Sequence, residues 1–299
     1  MVLLVDSTPE MILYIVAGIF VFILGTFVFS YLNRVIEILP EGIEDDEEEK
    51  TKEELAAEKI RHKELARDKR KRLLKIGNAC PHCGQTWKMK DSIPVLSWLM
   101  NGRKCRYCSK AISIRHTLIE LLGGVLAVIP LFYYGLSVEA LTVFLVYCVL
   151  STIAVIDMDT QYIPPELNLI LAVLGILSII TLPGPSLVER GIGIFCVSVP
   201  LLIITLIVPG AFGGGDIKMM AAVGILLGWK GTVMAFLIGL LLGGGYGAYV
   251  LITKKMGRKE HFAFGPFLAI GIAISLYADF GTKCMNLYMD YIMAAFQPY

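Results

Sequence analysis

The sequence predicts an all-α polytopic membrane protein of about eight transmembrane helices, with a small soluble insertion after the first. Three observations carry this reading. Hydrophobic residues make up 56% of the 299-residue chain and mean hydropathy is +0.68, above the range of ordinary soluble domains. Apolar runs of membrane-spanning length recur from residue 11 to residue 280. The charge is segregated: residues 41–75 hold 12 of the 26 acids and 11 of the 27 basic residues, so a net charge of +1 conceals a two-part chain.

Without water in the lipid core, a spanning segment must close all its backbone hydrogen bonds internally, which takes about 20 apolar residues as a helix. Eight stretches qualify, at about 11–32, 116–134, 138–156, 166–182, 190–208, 217–229, 231–253 and 262–280. The sixth is short, and separating it from the seventh requires a turn at Trp229-Lys230-Gly231. The first follows MVLLVDSTPE, which lacks the basic region of a secretory signal, and reads as a retained membrane helix. Short loops rich in Lys and Arg favour the cytoplasm. With the N-terminus outside, Lys69–Arg72 and Lys254, Lys255, Arg258 and Lys259 all fall inside, and Lys230 is the one basic loop residue that does not. The expected organisation is a first membrane helix (1–33), a cytoplasmic domain (34–115), a seven-helix membrane core (116–280) and a C-terminal tail (281–299).

Residues 41–75 begin EGIEDDEEE and continue without Pro or Gly through strong helix formers, with a capping-box pattern from Thr51 to Glu54. A solvated helix or partly disordered hairpin is expected, with a docking surface for a cytoplasmic partner as the functional alternative. Balanced charge and the absence of aromatics argue against nucleic-acid binding.

Within the same insertion, Cys80-Pro-His-Cys83 and Cys105-Arg-Tyr-Cys108 stand 21 residues apart. That is the spacing of zinc ribbons, in which two thiolate pairs on turns complete a tetrahedral shell. Four thiolates leave no open position for water, so Cys80, Cys83, Cys105 and Cys108 are expected to hold a structural Zn2+ that folds a segment too small for its own core. A pair of disulfides is the other arrangement the four thiols allow, and a cytoplasmic placement argues against it.

Three acids lie at the border of the apolar spans. Asp157 and Asp159 close the third span in Ile156-Asp157-Met158-Asp159, and Asp216 follows three glycines in Gly213-Gly214-Gly215-Asp216-Ile217-Lys218. Ionisable groups at membrane depth are costly and tend to be functional, and glycines let a backbone fold closely around a carboxylate. If Asp157 and Asp216 face each other, like-charge repulsion leaves one proton shared between them. The ionised member then activates water while the protonated one bonds a scissile carbonyl, which is aspartic-protease chemistry. Either acid has blander uses: an ion pair with Lys218, a helix cap, or a bound cation. Asp159 points to another face of the helix from Asp157 and is expected to be supporting or exposed. Gly213, Gly215 and Lys218 are expected as support.

These residues resemble the type IV prepilin peptidase family, one of the Gly-x-Gly-Asp membrane aspartic proteases that include presenilin and the archaeal preflagellin peptidases. The likeness covers nearly the whole chain. It takes in Tyr31-Leu32-Asn33-Arg34, both Cys-x-x-Cys pairs, Asp91-Ser92-Ile93-Pro94, Arg115-His116 with Ile119-Glu120-Leu121-Leu122, both aspartate segments, and Phe264-Gly265-Pro266-Phe267. The resemblance implies a bacterial inner-membrane endopeptidase whose catalytic pair is Asp157 and Asp216. It would remove leader peptides from prepilins or pseudopilins of pilus or secretion systems, cutting on the cytoplasmic side after a glycine. It also implies N-methylation of the new terminus with S-adenosylmethionine in many members, although the sequence shows no recognisable loop for that cofactor. The chain departs from the family in Pro165, where an Asp is common, in Ala263, where a Pro is common, and in the length of 41–75. Two other function classes stay open from the residues alone: a transporter or channel using buried carboxylates, and an inactive zinc-stabilised assembly scaffold.

Overall fold

A computed structural model describes residues 8–39, 83, 94–95, 99–102, 104–110, 113–253 and 263–295. The charged segment 41–75 and Cys80 lie outside them. The described residues are organised as helices: α1 (Thr8–Ile38), α2 (Ile114–Tyr134), α3 (Val138–Thr160), α4 (Pro165–Thr181), α5 (Leu187–Cys196), α6 (Ser198–Ile207), α7 (Gly214–Ile252), α8 (Gly265–Leu276) and α9 (Phe280–Ala295). The expected all-α polytopic membrane fold is what the structure shows. Six helical stretches are long and apolar enough to cross a membrane. The eight expected passages correspond to these six, to the 17-residue α4, and to a division of α7 at Gly228.

The described residues divide into two compact units, one up to Val128 and the other from Ile129 onward. In the first, α1 packs on α2 through small residues. A Cβ at Gly25 would lie 2.5 Å from the Gly123 carbonyl, and Phe29, 1% exposed, lies over Gly123. Such close approach is how membrane helices associate where lipid removes the hydrophobic driving force. At the end of this pair, buried Asn33 donates to the His116 carbonyl at 3.0 Å and Glu37 lies 3.4 Å from His116. Glu120 on α2 accepts from Val95 N–H at 2.9 Å and so ties the segment before the second cysteine pair to the helix.

In the second unit, α7 runs through the centre against α4, α5, α8 and α9. The division of α7 falls at Gly228, one residue before the expected turn. Its φ of 65° with ψ of 176° is a conformation essentially reserved for glycine, and a Cβ there would meet Pro185 at 2.6 Å. The break exposes the last carbonyls of residues 214–227, and Arg190 of α5 answers them. It is buried and donates to Ile225 O at 2.6 Å, Leu226 O at 3.1 Å, Pro185 O at 3.1 Å and Ser178 Oγ at 2.8 Å. A cation at a helix C-terminus complements the helix dipole. Lys230, the exception in the loop-charge pattern, lies 3.7 Å from Glu189, which also closes the capping box that starts α5. Beyond α8 the chain turns through Ala278 and Asp279, both left-handed, and the residues expected as a tail continue as α9 to Ala295.

A pair of buried aspartates at one end of the helix bundle

Asp157 sits in the last turn of α3. The helix stops three residues later because Gln161 adopts the left-handed conformation (φ 53°) and its N–H caps the Asp157 carbonyl. The chain then turns through Ile163 and Pro164, and Pro165 opens α4 at a first-turn position where its missing N–H leaves no partner unsatisfied. Asp216 is the third residue of α7, in the first turn after the connection from α6.

Four contacts draw these segments together. A Cβ on Gly215 would lie 2.7 Å from the Ile163 side chain, so the glycine lets the turn before Asp216 seat on the loop after Asp157. Phe212 and Phe264 pack with ring centroids 5.7 Å apart, bringing the start of α8 to the same place. Gly265 at that start donates its N–H to Asp157 Oδ2 at 2.9 Å. Asn168 on α4 donates to the Gly215 carbonyl at 3.2 Å.

The two carboxylates are buried, with Asp157 5% and Asp216 7% exposed, on segments that these four contacts hold together. Among the described residues they are the only buried acids. Asp216 Oδ2 accepts from Gly213 N–H at 3.3 Å, the acid half of a capping box, so the helix-capping role expected as an alternative is realised. That leaves Asp216 Oδ1 buried with no hydrogen-bond partner among the described residues.

The remaining expected residues divide. Gly213 and Gly215 belong to the turn that carries Asp216, whereas Asp159 and Lys218 are exposed and are not buried with the pair. Gly265 and Asn168 are additions. The first stands within a quoted motif without an assigned role, and the second is a lone amide in an apolar helix, a signal that a polar group at membrane depth has a partner.

In the N-terminal unit the sulfur atoms of Cys83, Cys105 and Cys108 lie within 4.8 Å of one another. Tetrahedral zinc with Zn–S of about 2.3 Å places thiolates about 3.8 Å apart, so these three fit a shared metal ion. Cys105 is the inner member, 3% exposed. Its N–H donates to Lys110 O at 2.8 Å and its carbonyl accepts from Ser109 N–H at 2.9 Å, which forms the knuckle.

Residues 23–134 match the Bacterial Peptidase A24 N-terminal domain and residues 144–248 match the Type IV leader peptidase family. The chain is 35% identical over 210 residues to the prepilin leader peptidase/N-methyltransferase of Burkholderia pseudomallei, covering 69% of this chain and 67% of the relative. It is 31% identical over 255 residues to the protein of that name in Neisseria gonorrhoeae, covering 83% of this chain and 86% of the relative. With that of Legionella pneumophila it shares 28% identity over 287 residues, 94% and 96% of the two chains. No solved structure matches. A helical membrane unit that buries two acids at one end, and a sequence that follows these relatives over most of its length, lead to one assignment: the chain belongs to the type IV leader peptidase family and is a peptidase.

Proposed function

We propose that this protein is an aspartic endopeptidase of the bacterial inner membrane that removes the leader from prepilins or pseudopilins, with Asp157 and Asp216 as its catalytic pair. The observation that carries the reading is the burial of two carboxylates, from α3 and α7, on segments packed together at one end of the same unit. In the reaction, the pair holds one proton. The ionised carboxylate takes a proton from water as it attacks the scissile carbonyl, and the protonated one donates to that carbonyl oxygen as it becomes the tetrahedral oxyanion. Collapse expels the new amine, which takes up the proton held by the general base. The Lys and Arg bias of the short loops supports a cut on the cytoplasmic side. A transporter would distribute buried acids along a path through the spans, whereas among the described residues the only buried acids are Asp157 and Asp216.

The test uses the purified full chain in detergent and a peptide with a leader ending in glycine ahead of an apolar helix of about 20 residues. The expected product mass corresponds to cleavage after that glycine, and an intact peptide would contradict the reading.

The insertion between α1 and α2 is proposed to hold a structural Zn2+ through Cys83, Cys105 and Cys108 with Cys80 as the fourth ligand. Bound there, the ion would organise the loop and would take no part in peptide hydrolysis. Metal analysis of the purified protein is expected to find about one zinc per chain, as a single closed four-thiolate site requires, and only traces in Cys105→Ser. An unchanged zinc content in that variant would remove the cysteines as ligands.

Because its relatives are prepilin leader peptidase/N-methyltransferases, we also propose N-methylation of the new terminus with S-adenosylmethionine. The described residues contain no glycine-rich loop joining a strand to a helix, so none is assigned to that cofactor. A product heavier by one methyl group only when S-adenosylmethionine is added is the expected result.

A further inference from the structure

Asn168 lies near the start of α4, an apolar helix in which it is flanked by Leu167 and Leu169, and it is 6% exposed. Its Nδ2 donates to Gly215 O at 3.2 Å, which fixes the orientation of the amide because a carbonyl can only accept. Its Oδ1 is buried and has no partner among the described residues. A leucine would fill this volume without leaving a buried acceptor unmet, so packing alone does not call for an amide here. The one hydrogen bond its side chain makes ends on the residue before Asp216.

The surroundings make that bond a rigid one. Helix α4 and residues 214–227 run parallel in a constant register. Asn168 meets Gly215, a Cβ on Gly175 would lie 3.1 Å from Ile225 and 3.3 Å from the Ala222 carbonyl, and Ser178 is joined through Arg190 to Ile225 and Leu226. The far end is therefore clamped by Arg190 and the near end by Asn168. Three consecutive glycines precede Asp216 and offer no side chain by which the turn can be held. The carbonyl held by Asn168 belongs to the last of them.

We propose that Asn168 is a positioning residue for leader cleavage: it anchors the glycine turn through Gly215 and so aims the Asp216 carboxylate at Asp157. This rests on the reading of those two acids as the catalytic pair.

The test compares Asn168→Leu with wild type and with Asp216→Asn, as full-length protein in detergent, on the peptide described above. In Asn168→Leu, kcat is expected to fall by about 10²-fold while KM stays within about twofold, because displacing a catalytic group by about 1 Å costs that much rate without touching substrate binding. Its thermal midpoint is expected to stay near that of wild type. A kcat within about twofold of wild type would overturn the proposal, as would a kcat loss accompanied by an equal rise in KM and a lowered midpoint, the signature of general loosening. If Asn168→Leu does not accumulate in the membrane, Asn168→Ala is judged by the same criteria. Full activity in Asp216→Asn would instead defeat the catalytic-pair reading itself, whereas an inactive Asp216→Asn beside a fully active Asn168→Leu defeats only the role of Asn168.

Discussion

Asp157→Asn and Asp216→Asn are each expected to leave the protein in the membrane, folded and at normal abundance, while leader cleavage falls on the order of 10⁴-fold. Asparagine keeps the shape of the side chain and can still accept through its oxygen from the N–H of Gly265 or Gly213, so the local backbone has little reason to move. It cannot take a proton from water, nor share one with its partner, and no Ser or Cys nucleophile is available in the proposed chemistry to substitute. The double variant is expected to be no slower than the worse single one, because the two carboxylates act as a unit and their effects do not add. Rates of peptide cleavage, with circular dichroism to report the fold, check both expectations. Cleavage surviving either substitution at the wild-type rate would take that residue out of the mechanism.

The second large effect falls on a residue with no side chain. A Cβ on Gly265 would lie 2.7 Å from Asp157 Oδ2 and 3.0 Å from its Cγ, too close for the carboxylate to stay where it is. Gly265→Ala is therefore expected to push the Asp157 side chain aside and break the 2.9 Å bond it receives from the backbone. Because the obstructing atoms are the tip of a side chain that can rotate away, the fold is expected to tolerate the methyl group. The expected result is a fall in kcat of about 10²-fold with KM and thermal stability near wild type. Gly213→Ala offers an internal scale: its Cβ would stand 3.1 Å from Asp216 Oδ2, and a smaller loss is expected. Equal and full activity in both variants would contradict the placement of α8 against the pair.

What the sequence made legible follows from the range of each signal. Membrane helices announce themselves locally, because each must be apolar over its whole length. The passages are readable on that ground, and Trp229-Lys230-Gly231 marks the division of α7 to within one residue of its break at Gly228. The two aspartates stood out because acids are rare at such depth, and the cysteines because two Cys-x-x-Cys pairs have a spacing with few other uses. What bears on Asp157 and Asp216 from elsewhere in the chain was not legible. Gly265 meets Asp157 across 108 residues and Asn168 meets Gly215 across 47, and neither bond leaves a periodic trace. Lys218 illustrates the converse: its closeness to Asp216 in sequence suggested a partner, yet it is exposed while Asp216 is buried. The sequence predicts a tail from residue 281, whereas these residues form α9 and extend the last helical passage to Ala295.

The meeting of Asp157 with Asp216 can be measured without reference to activity. With the native cysteines of the membrane unit replaced, Asp157→Cys/Asp216→Cys in intact membranes is treated with a short bifunctional thiol reagent. A protease site engineered into the 183–186 loop, between the two positions, reports the link. Efficient cross-linking, seen as two fragments that stay joined after cleavage, is the expected outcome, with Asp159→Cys/Asp216→Cys linking far less. Fragments that separate from the Asp157/Asp216 pair, under conditions where each cysteine alone reacts with the reagent, would show that the two acids do not share a site.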